Sequence, residues 1–455
     1  MTSIATVRIP GLAGRTIGPG DADYDAARTT FYGGVDKRPR AIVRVANAED
    51  VARVIDFARG GGIELAVRSG GHSLTGLCLS DGGIVVDLHD LRRVEIDAGA
   101  RTVWAEAGIT AVELARALDA HDLALSFGDT GSVAIGGLVT GGGVGYLVRK
   151  HGLTIDSLIA AEVVTADGEI RRVDEGREPD LFWAIRGAGG NFGVVTRFEF
   201  KAAPLGACFG GMLMLPATAE TVRRFIELSE AAPEELVTIA NVMPGAAPYV
   251  APEHVGKLLI FAFVLYAGAP AEGERVVAAL RALATPILDM LKPMRYPEIY
   301  PPEDPSYHPL GDNHNMFLDH VDASTAERIV QEISAPSSAL FHVAQLRVLG
   351  GAFARVPADA TAFAHRRSKI MVNLGVVYTD PNEGPEHRAW VARVGAALRQ
   401  SDGGAYVNFL ARDGTERIRA AYPAKTYDRL VGIKRRYDPT NLFHLNQNIS
   451  PTKDR

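Results

Sequence analysis

Residues 67–73 read Val-Arg-Ser-Gly-Gly-His-Ser, so a histidine directly follows two adjacent glycines. Such a pair lets the backbone turn sharply and approach a bulky ligand with no Cβ in the way. A histidine at that turn projects an imidazole nitrogen into whatever fills the space, and a bond to a cofactor is one chemistry it offers. A second cluster, Gly128, Gly131, Gly136, Gly137, Gly141, Gly142, Gly143 and Gly145, follows about sixty positions later. Loops of this kind turn backbone N–H groups toward phosphate. The two segments together suggest loops closing on one extended, phosphate-bearing cofactor. Near the C-terminus, Asn446-Gln-Asn448 sets three amides in a row, costly to bury without partners; they are either exposed tail or the lining of a polar ligand. The twelve histidines show no metal-binding spacing, and neither do Cys78 and Cys208, so no metal site is expected.

Elements must position these residues. Strand-like runs at Ile63–Val67 and Ile84–Leu88 flank the histidine turn. Before them, Ala41–Ala46 reads as a strand, and Asn47 as the cap of a helix stopped by Gly60-Gly61-Gly62. A meander is expected at Val94–Asp97 and Thr102–Ala107, then a helix with Ala111, Leu114, Ala115 and Leu118 on one face. Asp167-Gly168 between two strand patterns predicts a hairpin, and residues 191–200 read as its closing strand. From about 202–211 the character changes. Long strands such as Lys257–Tyr266 and Phe341–Leu349 alternate with amphipathic helices near 222–228, 274–283 and 387–398, predicting an antiparallel sheet with helices on one side. Residues 286–315, rich in Pro, Tyr and Asp, show no clear period and read as a substrate loop or, by default, a surface connection. Alternation in Ala405–Ala411 predicts a strand with Asn408 opposite Val407 and Phe409. On Ala344–Leu349, Gln345 and Arg347 share a face that lines either a pocket or the surface.

A chain of 455 residues suggests two domains. It has no apolar run near the ~20 residues of a membrane helix. Met1–Pro10 carries no leader pattern, so a cytoplasmic protein is expected. The net charge of −6, with only His365-Arg366-Arg367 and Lys434-Arg435-Arg436 as basic triplets, argues against nucleic acid; both triplets read as solvated surface.

Four ordered motifs carry a resemblance: Arg68-Ser-Gly-Gly-His72-Ser73, the glycine run 136–145, Gly189-Gly-Asn-Phe-Gly-Val194-Val195, and Tyr437-Asp-Pro-Thr-Asn-Leu-Phe followed by Asn446-Gln-Asn448. Over roughly residues 36–450 the chain resembles the berberine-bridge-enzyme-like FAD-linked oxidases of the vanillyl-alcohol-oxidase (PCMH-type) superfamily. The resemblance implies an α+β protein. Its PCMH-type FAD-binding domain of two small α/β lobes (36–205) would follow an N-terminal segment (1–35). A substrate domain of antiparallel sheet flanked by helices (206–415) and a C-terminal segment returning to the FAD domain (416–455) would complete it. It implies FAD attached covalently through His72. Arg68, Ser69, Gly70, Gly71, Ser73, Gly128, Asp129, Thr130, Ser132, Val133, Gly136, Gly137, Gly142, Gly143, Gly145, Val194, Asn446 and Asn448 would surround the cofactor. Thr130 stands where many members carry a second, cysteinyl attachment, so the chain is similar to the monocovalent bacterial branch that includes 6-hydroxy-D-nicotine oxidase. Val133 occupies the position where a small residue favours O2 as acceptor. On the substrate side the resemblance implies roles for Tyr422, Tyr427, Asn408 and Arg347. The expected partners are a small alcohol, amine or hydroxylated heterocycle and O2. A dehydrogenase using another acceptor, or a flavin-bearing protein that sequesters a metabolite, are the alternatives.

Overall fold

Asn47 caps its helix as its position predicts. Its side chain accepts from the Asp50 amide at 2.9 Å, and helix Ala48–Gly61 stops at Gly62 in the left-handed region (φ 59°). In the computed structural model this helix connects two strands of a small sheet ordered Arg15–Ile17, Ala41–Arg44, Ile84–Asp87, Leu65–Arg68. The last three run parallel, with Val43 and Val67 both registered on Val86. The sequence 65–73 therefore leaves the carboxyl end of a buried parallel strand, where open α/β sheets place their ligands.

The structure describes residues 7–246, 248, 250–401, 403–411 and 414–452. The opening segment read as lacking a leader lies outside it up to residue 6, as do residues 412 and 413 beside the expected boundary at 415, and 453–455 of the expected C-terminal segment.

A second sheet is antiparallel, ordered Val94–Asp97, Thr102–Glu106, Val194–Lys201, Leu158–Val164, Ile170–Asp174. The Asp167-Gly168 hairpin forms, with Gly168 at φ 84°. From Cys208 a larger antiparallel sheet begins, its main path Cys208–Pro216, Leu258–Tyr266, Leu236–Pro244, Phe341–Val348, Ile370–Tyr378 and Leu310–Leu318. Helices Ala219–Ala231, Ala323–Ile333 and Gly384–Leu398 bury one face, packing on Val242, Ala344, Val372 and Leu374. Strand alternation sends the neighbouring residues to the opposite face. There Asn241 pairs with Gln345, Gln345 with Asn373 and Asn373 with Asn315.

Three expectations need correction. Residues 405–411 do not form a strand; Val407–Phe409 is a 3₁₀ turn. The reason is that side-chain amides occupy the backbone a partner strand would pair: Asn315 Oδ1 accepts from the Tyr406 amide at 2.6 Å, while Asn313 and Asn315 donate to the Phe409 carbonyl at 3.0 and 2.8 Å. The stretch 286–315 is no featureless connection: it holds short edge strands, a 3₁₀ turn at Tyr296–Ile299 and the start of Leu310–Leu318. Nor are the basic triplets wholly solvated. Arg366 is buried in a two-pronged ion pair with Asp156 (2.7 and 2.8 Å). Lys434 is buried on Asp438 (2.7 Å) and the carbonyls of Asn191 and Phe443. That lysine fastens helix Ala424–Tyr437 to the 191 loop. Among the described residues no helix is long and apolar enough to cross a membrane.

Candidate active site

The histidine turn is built as the glycines require. Gly71 sits at φ 72°, and a Cβ on Gly70 would fall 2.7 Å from the Ala134 amide, so this loop and the 130–136 loop interlock through backbone. Ser69 Oγ donates to the Ala107 carbonyl at 2.7 Å. His72, half-buried, stacks on Phe31 with ring centroids 4.6 Å apart. Its Nε2 lies 3.1 Å from Ser132 Oγ. Burial pulls the imidazole pKa down to about 4, with Glu303 acting in the opposite sense. At neutral pH the ring is uncharged and keeps a nucleophilic nitrogen.

From His72 a cavity of about 480 Å³ runs between the glycine loops and the large sheet. Its floor is backbone: residues 69–73, 128–130, helix Ile135–Gly141 at Gly136 and Gly137, Gly143, and the 188–195 loop. A Cβ on Gly137, Gly189 or Gly190 would meet nothing within 4 Å, so these glycines leave open space on the cavity. Asn446 reaches the same wall, donating to the Gly190 and Phe443 carbonyls. Among the described residues its Oδ1 is buried without a partner, as is Oδ1 of Asn313 on the far side. Bare backbone around a long cleft and orphaned polar atoms on its wall suit a dinucleotide-sized cofactor such as FAD.

The structure brings together, on this one cavity, Ser69, Gly70, Gly71, His72, Ser73, Gly128, Asp129, Thr130, Val133, Gly136, Gly137, Gly143, Val194 and Asn446 from the cofactor set, with Asn408 and Arg347 from the substrate set. Five cofactor residues are not on its wall. Arg68 props the turn from behind, donating to the Thr29 carbonyl at 2.6 Å. Ser132 acts through His72. Gly142 packs on the Tyr406 ring, Gly145 closes on the Phe127 carbonyl, where a Cβ would sit at 1.8 Å, and Asn448 has its Oδ1 buried off the cavity. The two tyrosines are the larger correction. Tyr422 is buried with its hydroxyl on the Gly187 carbonyl (3.3 Å), and burial raises its pKa strongly. Tyr427 is buried with the Arg419 guanidinium 3.6 Å over its ring. Neither lines the cavity; both stitch the C-terminal helices to the core.

Opposite the floor, the sheet supplies a roof of side chains. Gln345 donates to Asn241 at 2.9 Å and Asn313 to Asn373 at 2.8 Å. Arg347 is buried and joins roof to floor. It meets Asp129 at 2.5 Å and the Val144 carbonyl at 3.2 Å, and its ring neighbour is Phe409. Asn408 donates to the Leu138 carbonyl at 3.1 Å and to Tyr406 Oη at 2.9 Å. Tyr406 is a cavity residue that the sequence reading missed, although it precedes Asn408 by two. Its oxygen accepts from Asn408 and from the Gly143 amide (2.9 Å), so its own proton is left to donate. Burial lifts its pKa to about 12, holding it as a neutral donor. Glu303, which reaches Ser132, had no signal in sequence.

Known proteins are similar to this chain in sequence and in fold. The sequence pattern described as FAD binding domain matches residues 39–174, and that described as berberine and berberine like matches residues 405–450. (R)-6-hydroxynicotine oxidase of Paenarthrobacter nicotinovorans is 30% identical over 464 residues, spanning 97% of each chain. An uncharacterized FAD-linked oxidoreductase of Bacillus subtilis, YvdP, is 30% identical across 97% of this chain and 99% of its own. The crystal structure of 6-hydroxy-D-nicotine oxidase from Arthrobacter nicotinovorans superposes with a TM-score of 0.86 at 27% identity, covering 97% of this chain and 98% of that one.

Proposed function

The chain belongs to the berberine-like FAD-linked oxidoreductases, and on that premise we propose that it is an oxidase carrying FAD covalently on His72 and returning electrons to O2 as H2O2. Bound in the cleft, the flavin supplies the two-electron acceptor for a substrate C–H hydride. The protein supplies the rest. Backbone at 69–73, 136–137 and 188–194 would hold the cofactor, and the roof amides would bind the substrate. Tyr406, a neutral donor, would orient the substrate heteroatom rather than remove its proton. Arg347 on the roof is paired with Asp129, and around it the cavity is faced by the amides of 313, 345, 373 and 408. Such a roof suits an uncharged small alcohol, amine or hydroxylated heterocycle. The small Val133 on the cavity wall supports O2 as acceptor. Two free, buried cysteines and a net charge of −6 suit a cytoplasmic enzyme without nucleic-acid or membrane partners.

One observation carries this reading: the neutral imidazole of His72 and the amide roof open on the same cavity. The test is a substrate screen on purified protein. A substrate should bleach the flavin band anaerobically and release H2O2 in air, while acid-denatured protein keeps its yellow fluorescence on a gel. Reduction with slow reoxidation in air would assign another acceptor. Tight binding without bleaching would make this a sequestering protein, and flavin left in the acid supernatant would refute the covalent link. Val133→Ile should slow reoxidation by O2 while sparing anaerobic reduction, because it narrows the wall beside the ring.

A further inference from the structure

The partners of His72 determine which of its nitrogens carries the proton. Ser132 Oγ, 3.1 Å from Nε2, also makes a short hydrogen bond to one carboxylate oxygen of Glu303. The Ser132 amide donates to the other oxygen at 3.0 Å. An ionised carboxylate can only accept, and a serine hydroxyl has one proton. That proton goes to Glu303, so toward His72 the hydroxyl oxygen accepts. The imidazole proton therefore sits on Nε2, and Nδ1 keeps its lone pair.

Glu303 comes from the other domain. Its segment also grips the stretch that carries Phe31, the ring stacked on His72: the Gly33 amide donates to the Pro309 carbonyl at 2.9 Å, and His308 Nδ1 lies 3.3 Å from the Phe31 carbonyl. Sheet and loop thus enclose the imidazole from two sides. The charged groups acting on it are Glu303, which favours an imidazolium, and Arg68, which opposes one.

We propose that Ser132 and Glu303 are positioning residues for flavin attachment: they present Nδ1 of His72 as the nucleophile and draw off the Nε2 proton as the bond forms. This rests on the covalent reading above. In the balanced step the bond from Nδ1 to the flavin 8α carbon forms, and one 8α C–H bond breaks, its proton leaving to solvent. The Nε2 proton passes through Ser132 Oγ to Glu303, which is exposed and hands it to water. The two electrons left in the flavin ring go to O2, giving H2O2.

Full-length holoenzyme, purified soon after induction and incubated in air with excess FAD, tests this. Both the total bound flavin and its acid-stable share are followed in time. Glu303→Gln and Ser132→Ala should bind total flavin as wild type does but attach it about 100-fold more slowly, the scale of lost general-base assistance. Glu303→Asp should recover much of the rate. Attachment at the wild-type rate in Glu303→Gln or Ser132→Ala overturns the proposal, as does a slowed Glu303→Gln that Glu303→Asp fails to rescue. If Glu303→Gln does not fold, Ser132→Ala decides alone. Wild-type protein with no acid-stable flavin would instead refute the covalent reading itself, and the variants would then not differ from it.

Discussion

The floor and the roof of the cleft are made from different parts of the polypeptide. The floor is main chain: glycines at 70, 71, 136, 137 and 143 and the 188–194 loop line it, packed so closely at 70, 71, 136 and 143 that no Cβ fits, with open space beside Gly137, Gly189 and Gly190. The roof is side chain: Asn313, Gln345, Arg347 and Asn373 stand on three strands whose register alone makes them neighbours. A main-chain surface serves a cofactor whose phosphates accept from any N–H. A side-chain surface can be altered one residue at a time without disturbing the cofactor, which is where specificity belongs.

The sharpest way to break this contrast is Gly137→Leu. The position opens on the cavity and its φ is ordinary, so the chain should fold while the added side chain excludes FAD. In a His72→Ala background, where flavin is free to dissociate, we expect its affinity to fall roughly 100-fold, about 2.7 kcal/mol, read as flavin-to-protein ratio after dialysis; loading equal to that of His72→Ala alone would show that the floor is not the cofactor surface. Next in size is Arg347→Met, which leaves Asp129 unpaired where roof meets floor. Because Asp129 is half-buried and keeps access to the cavity, losing its guanidinium partner costs about 2 kcal/mol. Thermal unfolding should reveal it together with a fall in kcat/KM, and an unchanged melting temperature would refute the tie. Asn373→Ala should act on the roof alone. Loss of one neutral hydrogen bond, about 1 kcal/mol, should raise KM roughly fivefold with flavin content intact. A change in flavin content instead would mean that floor and roof are not separable.

The smallest effect is shared by both regions. His151 at the end of helix Val148–His151 and His314 and His342 on strands of the large sheet all have pKa values lowered to about 4 by burial. Between pH 4 and the ordinary value of 6.5 the unfolded chain binds more protons than the folded one, so stability rises with pH across that window. It is fully present above 6.5 and lost on acidification toward 4. The melting temperature should therefore fall from pH 7 to pH 5, and His342→Asn should fall less steeply than wild type. A flat profile would contradict neutral burial of these rings.

The two regions also differed in how far they could be read beforehand. The helix after Asn47, the Asp167-Gly168 hairpin and the glycine turn at 70–71 depend on neighbours within a few residues, and each formed where its local chemistry required. The 405–411 strand did not. Asn313 and Asn315, some ninety residues earlier, took its backbone groups. Tyr422 and Tyr427 carry a family-like spacing, yet their hydroxyl and ring face Gly187 and Arg419, because the helices bearing them pack away from the cleft. Tyr406 lay two residues from Asn408 and was recoverable from spacing; Glu303 was not, since its contact with Ser132 spans 171 positions.

By itself, then, the amino-acid order determined a glycine-built nucleotide cradle with an imidazole at its rim, since permissive φ and absent Cβ atoms are properties of single residues. Tertiary structure alone decided which amides share a roof, which tyrosine reaches the cavity and which carboxylate stands behind His72. Those are matters of strand register and domain docking, settled by the packing of side chains far apart in the chain.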